Sequence, residues 1–570
     1  MADSEPAVAT PASTRILLGD EAVAVGALDA GISAAYAYPG TPSTEILEYL
    51  IDRAEHGEPV VATWCTNEKT AFEQALGVSM VGRRVLVAMK HVGLNVAADP
   101  FVNSALLGLR GGVVLAVADD PGMHSSQNEQ DSRFYADFAR VICLEPATQQ
   151  EAYDMTREAF ELSERLQVPI VLRLVTRLCH GRAEVRTGTR RPQNEFAHER
   201  DPASWILLPA NARRRWRALL EQQGEFLAWS EASGFNRWSP SADDRGLGVV
   251  TAGRARNDYE ENLPALGFTP SHVHVGAYPL PVDQLRALAA KVERIVVLEE
   301  GFPIVERALR GVLPSPLPIH GKEAAPGSAP ILPPDGELTP ALVREALGLA
   351  PLPKFGLPGL DLPARPPQLC QGCPHGDAFS AVKAVAAELT DTIVTADIGC
   401  YTLGALPPYQ AIESCVCMGA SIGMAKGAVD AGAKRVLAVI GDSTFLHSGI
   451  TPLIDAAAAD TNMTLLILDN RTVAMTGAQP TILNDIHLGP MIAGIGVDPD
   501  HLHVIEVHPK LRDQVAELIR REVEHPGLSV IVTVRECIES VRRRKEHERH
   551  EREEQEAAGV AAATGGGQDA

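Results

Sequence analysis

A chain of 570 residues is too long for one hydrophobic core, and at about 150 residues per domain it is expected to hold three or four. Its composition, 45% hydrophobic and 22% charged, is that of a globular protein and excludes wholesale disorder. Against 73 Asp and Glu stand 51 Lys and Arg, a net −22 that excludes a broad grip on nucleic-acid phosphates. No run reaches about 18 apolar residues, and the start MADSEPAVATPAST lacks the basic and apolar regions of a signal peptide, so the expected location is cytoplasmic and not membrane-bound. Nine cysteines are too few for a disulfide scaffold, and the odd count points to thiol or metal chemistry.

In chain order, residues 1–14 read as a flexible lead. From 15 to 186 short apolar strands alternate with helices: VVLAVADD (Val113 to Asp120) and VPIVLRLVT (Val168 to Thr176) are strand-like, and EAVAVGALDAG (Glu21 to Gly31) is helix-like and stops at glycine. Residues 187–244 are polar and weakly periodic, a linker with helical pieces. A smaller α/β unit spans 245–350, with GLGVVTAG and RIVVLEEG as strands. Pro/Gly-rich stretches, including a linker at 351–367, lead to a third α/β unit at 368–540. The tail 541–570 is almost wholly charged and then low-complexity, which fits a solvated helix fraying into disorder.

The sharpest local pattern is RVLAVIGDSTFLHSGITPLIDAAAADTNMTLLILDNRT. One strand delivers Gly441, Asp442 and Ser443, a helix follows, and a second strand delivers Asp469, Asn470 and Arg471. That places a carboxylate and an amide at the carboxyl ends of neighbouring parallel strands, where open α/β sheets bind ligands. Mg²⁺ takes oxygen ligands, so Asp442, the Asn470 side chain and the Thr472 carbonyl form a candidate site, and Gly441 lets backbone approach a phosphate. Gly-Asp and Asp-Asn alone are ordinary turn residues; the strand-helix-strand context singles these out. The arrangement resembles the thiamine diphosphate motif of Gly-Asp-Gly followed by Asn-Asn, with Ser443 in place of the second Gly and Asp469 in place of the first Asn.

Cys370-Gln-Gly-Cys373-Pro-His375 follows the Pro-rich linker, and Cys400 and Cys537 each end a strand-like run. Zinc or a redox disulfide explains a lone Cys-x-x-Cys as well as iron does. Four thiolates in the domain of the diphosphate motif favour a [4Fe-4S] cluster on Cys370, Cys373, Cys400 and Cys537. Cys415 and Cys417 lie beside Gly419, Gly423 and Gly427, a run read as a tight helix contact with small core cysteines. Cys65, Cys143 and Cys179 read as structural.

Together LLGDEAVAVGALDAG, AYPGTPSTE, TNEKTAFEQALG, MKHVGLNVAADP, VADDPGMHSSQNEQDSR, LCQGCPH, TADIGCYTLG, GDSTFLHSGI and DNRTVAMTGAQPT resemble the alpha subunits of indolepyruvate ferredoxin oxidoreductases, within the thiamine-diphosphate-dependent 2-oxoacid:ferredoxin oxidoreductases, over about residues 15–540. The resemblance implies doubly wound parallel α/β domains: a pyrimidine-binding domain, a transketolase-C-like middle domain and a diphosphate-binding domain. It implies that Glu68 bonds the cofactor's aminopyrimidine and drives formation of the reactive carbanion, that Gly399 and Ser443 join Gly441, Asp442 and Asn470 at the cofactor, and that Thr41 meets the substrate. His91, Asn95, Ser125, Ser126, Gln127 and Arg133 lie in matched loops; an Arg holds a carboxylate with two parallel bonds, and each is equally explained as a cap of its own loop. Asn95, Arg133 and His375 complete the expected substrate contacts.

The implied reaction is oxidative decarboxylation of an aryl 2-oxoacid to acyl-CoA, with coenzyme A as co-substrate and electrons leaving through the cluster to ferredoxin or a similar carrier. The rival is a non-oxidative thiamine diphosphate decarboxylase or carboligase with zinc or no metal at the cysteines. The family implies a beta-type partner subunit and a hetero-oligomer with dimerised alpha subunits. Relatives usually continue into a ferredoxin-like module; no cysteine follows Cys537 here, so the chain reads as a variant without it. Arg542 to Lys545 offer a basic patch for an acidic carrier, or a solvated helix face.

Overall fold

The computed structural model describes residues 13–197, 201–312, 317–323, 329–353, 367–482, 488–546 and 549. Nearly all of the expected lead, most of the linker 351–367 and the low-complexity end of the tail lie outside the described residues. The chain divides into two compact units, 1–358 and 359–570.

The first unit holds a seven-stranded sheet in the order Ala277–Tyr278, Cys143–Leu144, Ile170–Val175, Val113–Asp119, Val85–Lys90, Ala34–Ala37, Val61–Trp64. All neighbours are parallel except Ala277–Tyr278, which runs antiparallel to Cys143–Leu144. Val85–Lys90 and Val113–Asp119 are buried at every position, which is why they read as unbroken apolar runs: a parallel strand covered on both faces has no polar side to alternate. Helix Gly19–Asp29 approaches helix Gln149–Leu166 so closely that a methyl on Gly26 would stand 2.8 Å from the Tyr153 carbonyl oxygen.

The same unit carries a five-stranded sheet, Ile319–His320, Arg294–Leu298, Leu247–Ala252, Ser271–Val275, Arg237–Ser239, parallel but for the last strand. The stretch 187–244, expected as a linker with helical pieces, contains a 24-residue helix, Pro209–Ala232, and supplies the edge strand Arg237–Ser239. Its polar appearance follows from how little of that helix is buried: Leu219, Phe226 and Ser230 face inward.

A buried ionic network ties the two sheets together. Arg173, with no exposed surface, pairs with Asp119 at 2.7 Å and with Glu145. Arg133 pairs with Asp131 at 2.5 Å and Glu299 at 3.1 Å and donates to the Tyr278 hydroxyl and the Glu300 and Phe302 carbonyls. Burial alone would raise the Asp131 carboxyl, but Arg133 and Arg173 hold it below the usual carboxylate range. Removing one member leaves opposite charges buried and unpaired. Arg173→Met is therefore expected to destabilise the first unit by about 3–5 kcal/mol, seen as a lower denaturant midpoint; a midpoint at the wild-type value would show the network to be dispensable.

The main sheet of the second unit is parallel, in the order Ile393–Ala396, Val436–Gly441, Met463–Asp469, Leu528–Val534, Leu502–Glu506, and a two-stranded antiparallel ribbon, Thr472–Val473 with Gln479–Pro480, accompanies it. Separate apolar clusters, one around Phe379, Val382 and Ile519 and the other around Ile422, Phe445 and Leu453, cover its faces. Both units thus have the expected doubly wound α/β class. The glycine run differs from expectation. Gly419 is close-packed, a methyl there standing 2.6 Å from Ser448 Cβ, but one on Gly423 or Gly427 would meet nothing within 4 Å among the described residues, so the four-residue spacing does not mark a contact along the helix. No helix among the described residues is long and apolar enough to cross a membrane.

Candidate active site

In the first unit, strand Ala34–Ala37 runs into Tyr38-Pro39-Gly40-Thr41. This loop is tied by the Gly40 N–H donating to Thr44 Oγ1 at 3.1 Å and the Ser43 hydroxyl donating to the Gly40 carbonyl at 2.8 Å. Thr41 is half-buried at its turn. Glu68 opens helix Glu68–Met80, whose start is fixed by Asn67 accepting from the Thr70 N–H at 2.8 Å. Only 5% of Glu68 is exposed. Its carboxyl packs on Gly93 of helix His91–Ser104, where a methyl would come within 2.5 Å of Glu68 Oε1. Glycine at position 93 thus leaves the space that the Glu68 carboxyl occupies at its helix start. Asn95, two residues beyond Gly93, accepts from the Tyr135 hydroxyl.

Arg133 does not have the role expected for it. It is 1% exposed and its guanidinium is engaged by Asp131, Glu299, Tyr278 and two carbonyls, so no fork is left for a substrate carboxylate. A cation overlooked in the sequence lies nearer the Thr41 loop. Lys90 ends strand Val85–Lys90, is 8% exposed, and donates to the Ser125 carbonyl at 2.8 Å. Its visible signal is a lone charge closing the run VLVAM.

In the second unit, Gly441 and Leu468 are paired residues of adjacent parallel strands, so Asp442 and Asn470 leave the sheet side by side. Both are buried. Burial and then the neighbouring Asp469 push the Asp442 carboxyl well above the usual range. The Arg471 N–H donates to Asp442 at 3.0 Å and to Asp469 at 3.1 Å. Two crowded carboxylates beside an amide oxygen form an all-oxygen donor set that a hard divalent cation would relieve, so these residues fit Mg²⁺. Thr472 lies beside them, its N–H donating to Asn470 Oδ1 at 3.1 Å.

His375, expected at the substrate, is 3% exposed and lies against Asn470 instead. Burial lowers its pKa to about 4, so the ring is neutral and Nε2 accepts from Asn470 Nδ2 at 3.0 Å. That bond turns the Asn470 oxygen the other way. Gly441, expected to admit a phosphate, and Gly399, expected at the cofactor, both make room for Tyr401: a methyl on Gly441 would stand 2.7 Å from the ring, and one on Gly399 2.3 Å. Ser443 is half-buried at the start of the following helical turn.

The four nominated cysteines gather in this unit. Burial and then Cys373, Cys537, Cys370 and Asp442 push the Cys400 thiol up to about 12. Burial, together with Cys370 and Cys537, takes Cys373 to about 11. The Cys537 N–H donates to the Asn470 carbonyl at 3.1 Å, which joins the thiol set to the carboxylate set through one residue. Among the described residues no three His, Cys, Asp or Glu close on a point as one metal ion would require. Cys415 and Cys417, expected in the core, are exposed, while Cys65, Cys143 and Cys179 are buried as expected. Arg542 and Arg544 are paired with Glu539 and Glu536 and are not a free basic patch.

Residues 25–213 match the family model "Pyruvate flavodoxin/ferredoxin oxidoreductase, thiamine diP-bdg" and residues 397–533 match "Thiamine pyrophosphate enzyme, C-terminal TPP binding domain". The chain is 37% identical to the indolepyruvate oxidoreductase subunit IorA of Archaeoglobus fulgidus, over 93% of this chain and 88% of that one. It is 38% identical to the IorA subunit of Methanothermobacter thermautotrophicus, over 92% of this chain and 87% of that one. A solved structure, the 2-oxoglutarate:ferredoxin oxidoreductase of Magnetococcus marinus, is 17% identical over 59% of this chain and 65% of its own, with a TM-score of 0.46.

Proposed function

Because the chain belongs to the family of indolepyruvate oxidoreductase IorA subunits and is an oxidoreductase subunit that carries thiamine-diphosphate-binding domains, we propose that it oxidatively decarboxylates an aryl 2-oxoacid of the indolepyruvate type. In this reading the product is an acyl-CoA, a beta-type subunit completes the enzyme, and electrons pass through a [4Fe-4S] cluster to ferredoxin or a similar carrier. Thiamine diphosphate, when bound, supplies the nucleophilic carbon and the electron sink that decarboxylation needs.

This chain's residues have distinct tasks. Glu68 exchanges a proton with the aminopyrimidine, and Gly93 leaves the space that its carboxyl requires. Asp442, the Asn470 side chain and the Thr472 carbonyl would hold Mg²⁺, which supplies positive charge for the diphosphate, with His375 fixing which way the Asn470 amide faces. Cys370, Cys373, Cys400 and Cys537 would hold the cluster. Thr41 and Asn95 belong to the substrate side.

The observation that carries the reading is the union of thiol and carboxylate sets at Asn470: an electron-accepting centre beside a diphosphate site is what distinguishes an oxidative enzyme from a simple decarboxylase. The test is anaerobic purification with the beta-type subunit. The expected protein is brown, contains iron, and reduces a viologen dye only when an arylpyruvate and coenzyme A are both present. Colourless, iron-free protein that releases an arylacetaldehyde without any acceptor would overturn the oxidative reading.

A further inference from the structure

The sheet of the first unit changes direction between two adjacent strands. From Ala34–Ala37 the chain moves outward to the edge strand Val61–Trp64 and then returns to the other side of Ala34–Ala37 as Val85–Lys90. The crevice beyond the carboxyl ends of strands at such a reversal is where open α/β sheets take their ligands. The segments that leave the sheet there are the Tyr38–Thr41 loop and Lys90 with the start of helix His91–Ser104. They touch: a methyl on Gly40 would stand 3.1 Å from Lys90 Cβ.

Lys90 is the N-cap of that 14-residue helix. Its ammonium has three N–H groups, and one bond of ordinary length, to the Ser125 carbonyl at 2.8 Å; the Ser125 hydroxyl is 3.5 Å away and itself lies 3.5 Å from the Thr41 carbonyl. Asp120, which acts on Lys90 through space, is held by the Ser125 N–H at 2.8 Å, the Ser126 hydroxyl at 2.6 Å and the Thr176 hydroxyl at 2.8 Å. Beside Lys90, His91 is 1% exposed and its Nε2 donates to the Asn128 carbonyl at 3.3 Å. A turn further on is Gly93, against Glu68. A helix start with its free N–H groups and a buried ammonium with donors to spare together make a place for an anion.

We propose that Lys90 receives the carboxylate of the 2-oxoacid substrate, the role that Arg133 cannot fill. This rests on the reading of the chain as a 2-oxoacid oxidoreductase subunit. Burial lowers the Lys90 ammonium to about 8 although Asp120 acts against that shift; Asp120 is bound by Ser125, Ser126 and Thr176, so the donors of Lys90 remain for an arriving carboxylate.

The test compares wild type, Lys90→Met and Lys90→Arg in the complex with the beta-type subunit, loaded with thiamine diphosphate and Mg²⁺. With an arylpyruvate, Lys90→Met is expected to lose about 10- to 100-fold in kcat/KM, carried by KM, and Lys90→Arg to recover part of it. With the matching arylacetaldehyde, which lacks the carboxylate, the loss should be smaller by a similar factor. Equal losses on both substrates, or an unchanged KM for the acid, would overturn the assignment. Calorimetric titration with an inert 3-arylpropionate separates this proposal from the functional reading. Binding by wild type that Lys90→Met abolishes supports a carboxylate site at Lys90 even if no arylpyruvate is turned over, and equal binding by both refutes it.

Discussion

Glu68→Gln is expected to lower kcat by about 10²- to 10⁴-fold while the chain keeps its fold and still binds thiamine diphosphate. Gln has the same shape, can sit at the same helix start and still bonds a ring, but it cannot take up and return a proton. The change also removes an acid from the first helical turn, which costs about 0.3–1 kcal/mol, too little to unfold a unit whose core is otherwise untouched. The paired variant is Gly93→Ala. Its methyl would lie 2.5 Å from Glu68 Oε1 and 2.7 Å from Cγ, so the carboxyl must move although its chemistry is intact. A displacement of that size costs about 100-fold where proton transfer depends on alignment. Steady-state kinetics with cofactor binding followed in parallel checks both. Glu68→Gln at wild-type kcat would remove the residue from catalysis, and Gly93→Ala at wild-type kcat would show that the carboxyl's position is unimportant.

What could be read in the sequence was what depends on neighbours in the chain. Strand, helix and strand from Arg435 to Asn470 are each set by local apolar pattern, and parallel pairing of adjacent strands then brings Asp442 and Asn470 together without further information. Of the six cysteines in the second unit, Cys373, Cys400 and Cys537 act on one another through space while Cys415 and Cys417 are exposed, a difference the count alone does not reveal. What could not be read was which partner a side chain finds across the fold. Arg133 and Lys90 both look like lone cations among apolar or small residues. Only the folded unit brings Glu299, 166 residues away, onto Arg133 and leaves Lys90 with a carbonyl. Gly441 reads in the sequence as room for a phosphate, yet the ring over it comes from Tyr401. Gly423 and Gly427 share the spacing of a helix contact and have no contact among the described residues, since spacing sets a face and not what covers it.

Asp442→Asn is expected to separate stability from function in opposite directions. In the chain without metal or cofactor, Asp442 is a buried carboxyl pressed by Asp469, an arrangement unfavourable to folding. Asn fills the same volume, can still accept the Arg471 N–H and removes the repulsion, so the apo variant should unfold at the same temperature as wild type or higher. The loaded state reverses the order. Saturation with Mg²⁺ and thiamine diphosphate at about 100 times Kd stabilises a binding-competent fold by about 2.7 kcal/mol, and this gain requires the charge that Asn lacks. Wild type should therefore rise in melting temperature on loading while Asp442→Asn stays where it was and is inactive. Residues maintained at the expense of stability are the mark of a binding site, and a structural Asp would behave in the contrary way, losing stability in the apo form and none of its response to the cofactor. Melting curves of both proteins, with and without metal and cofactor, decide between the two: a destabilised apo variant that still responds to loading would remove Asp442 from the metal site.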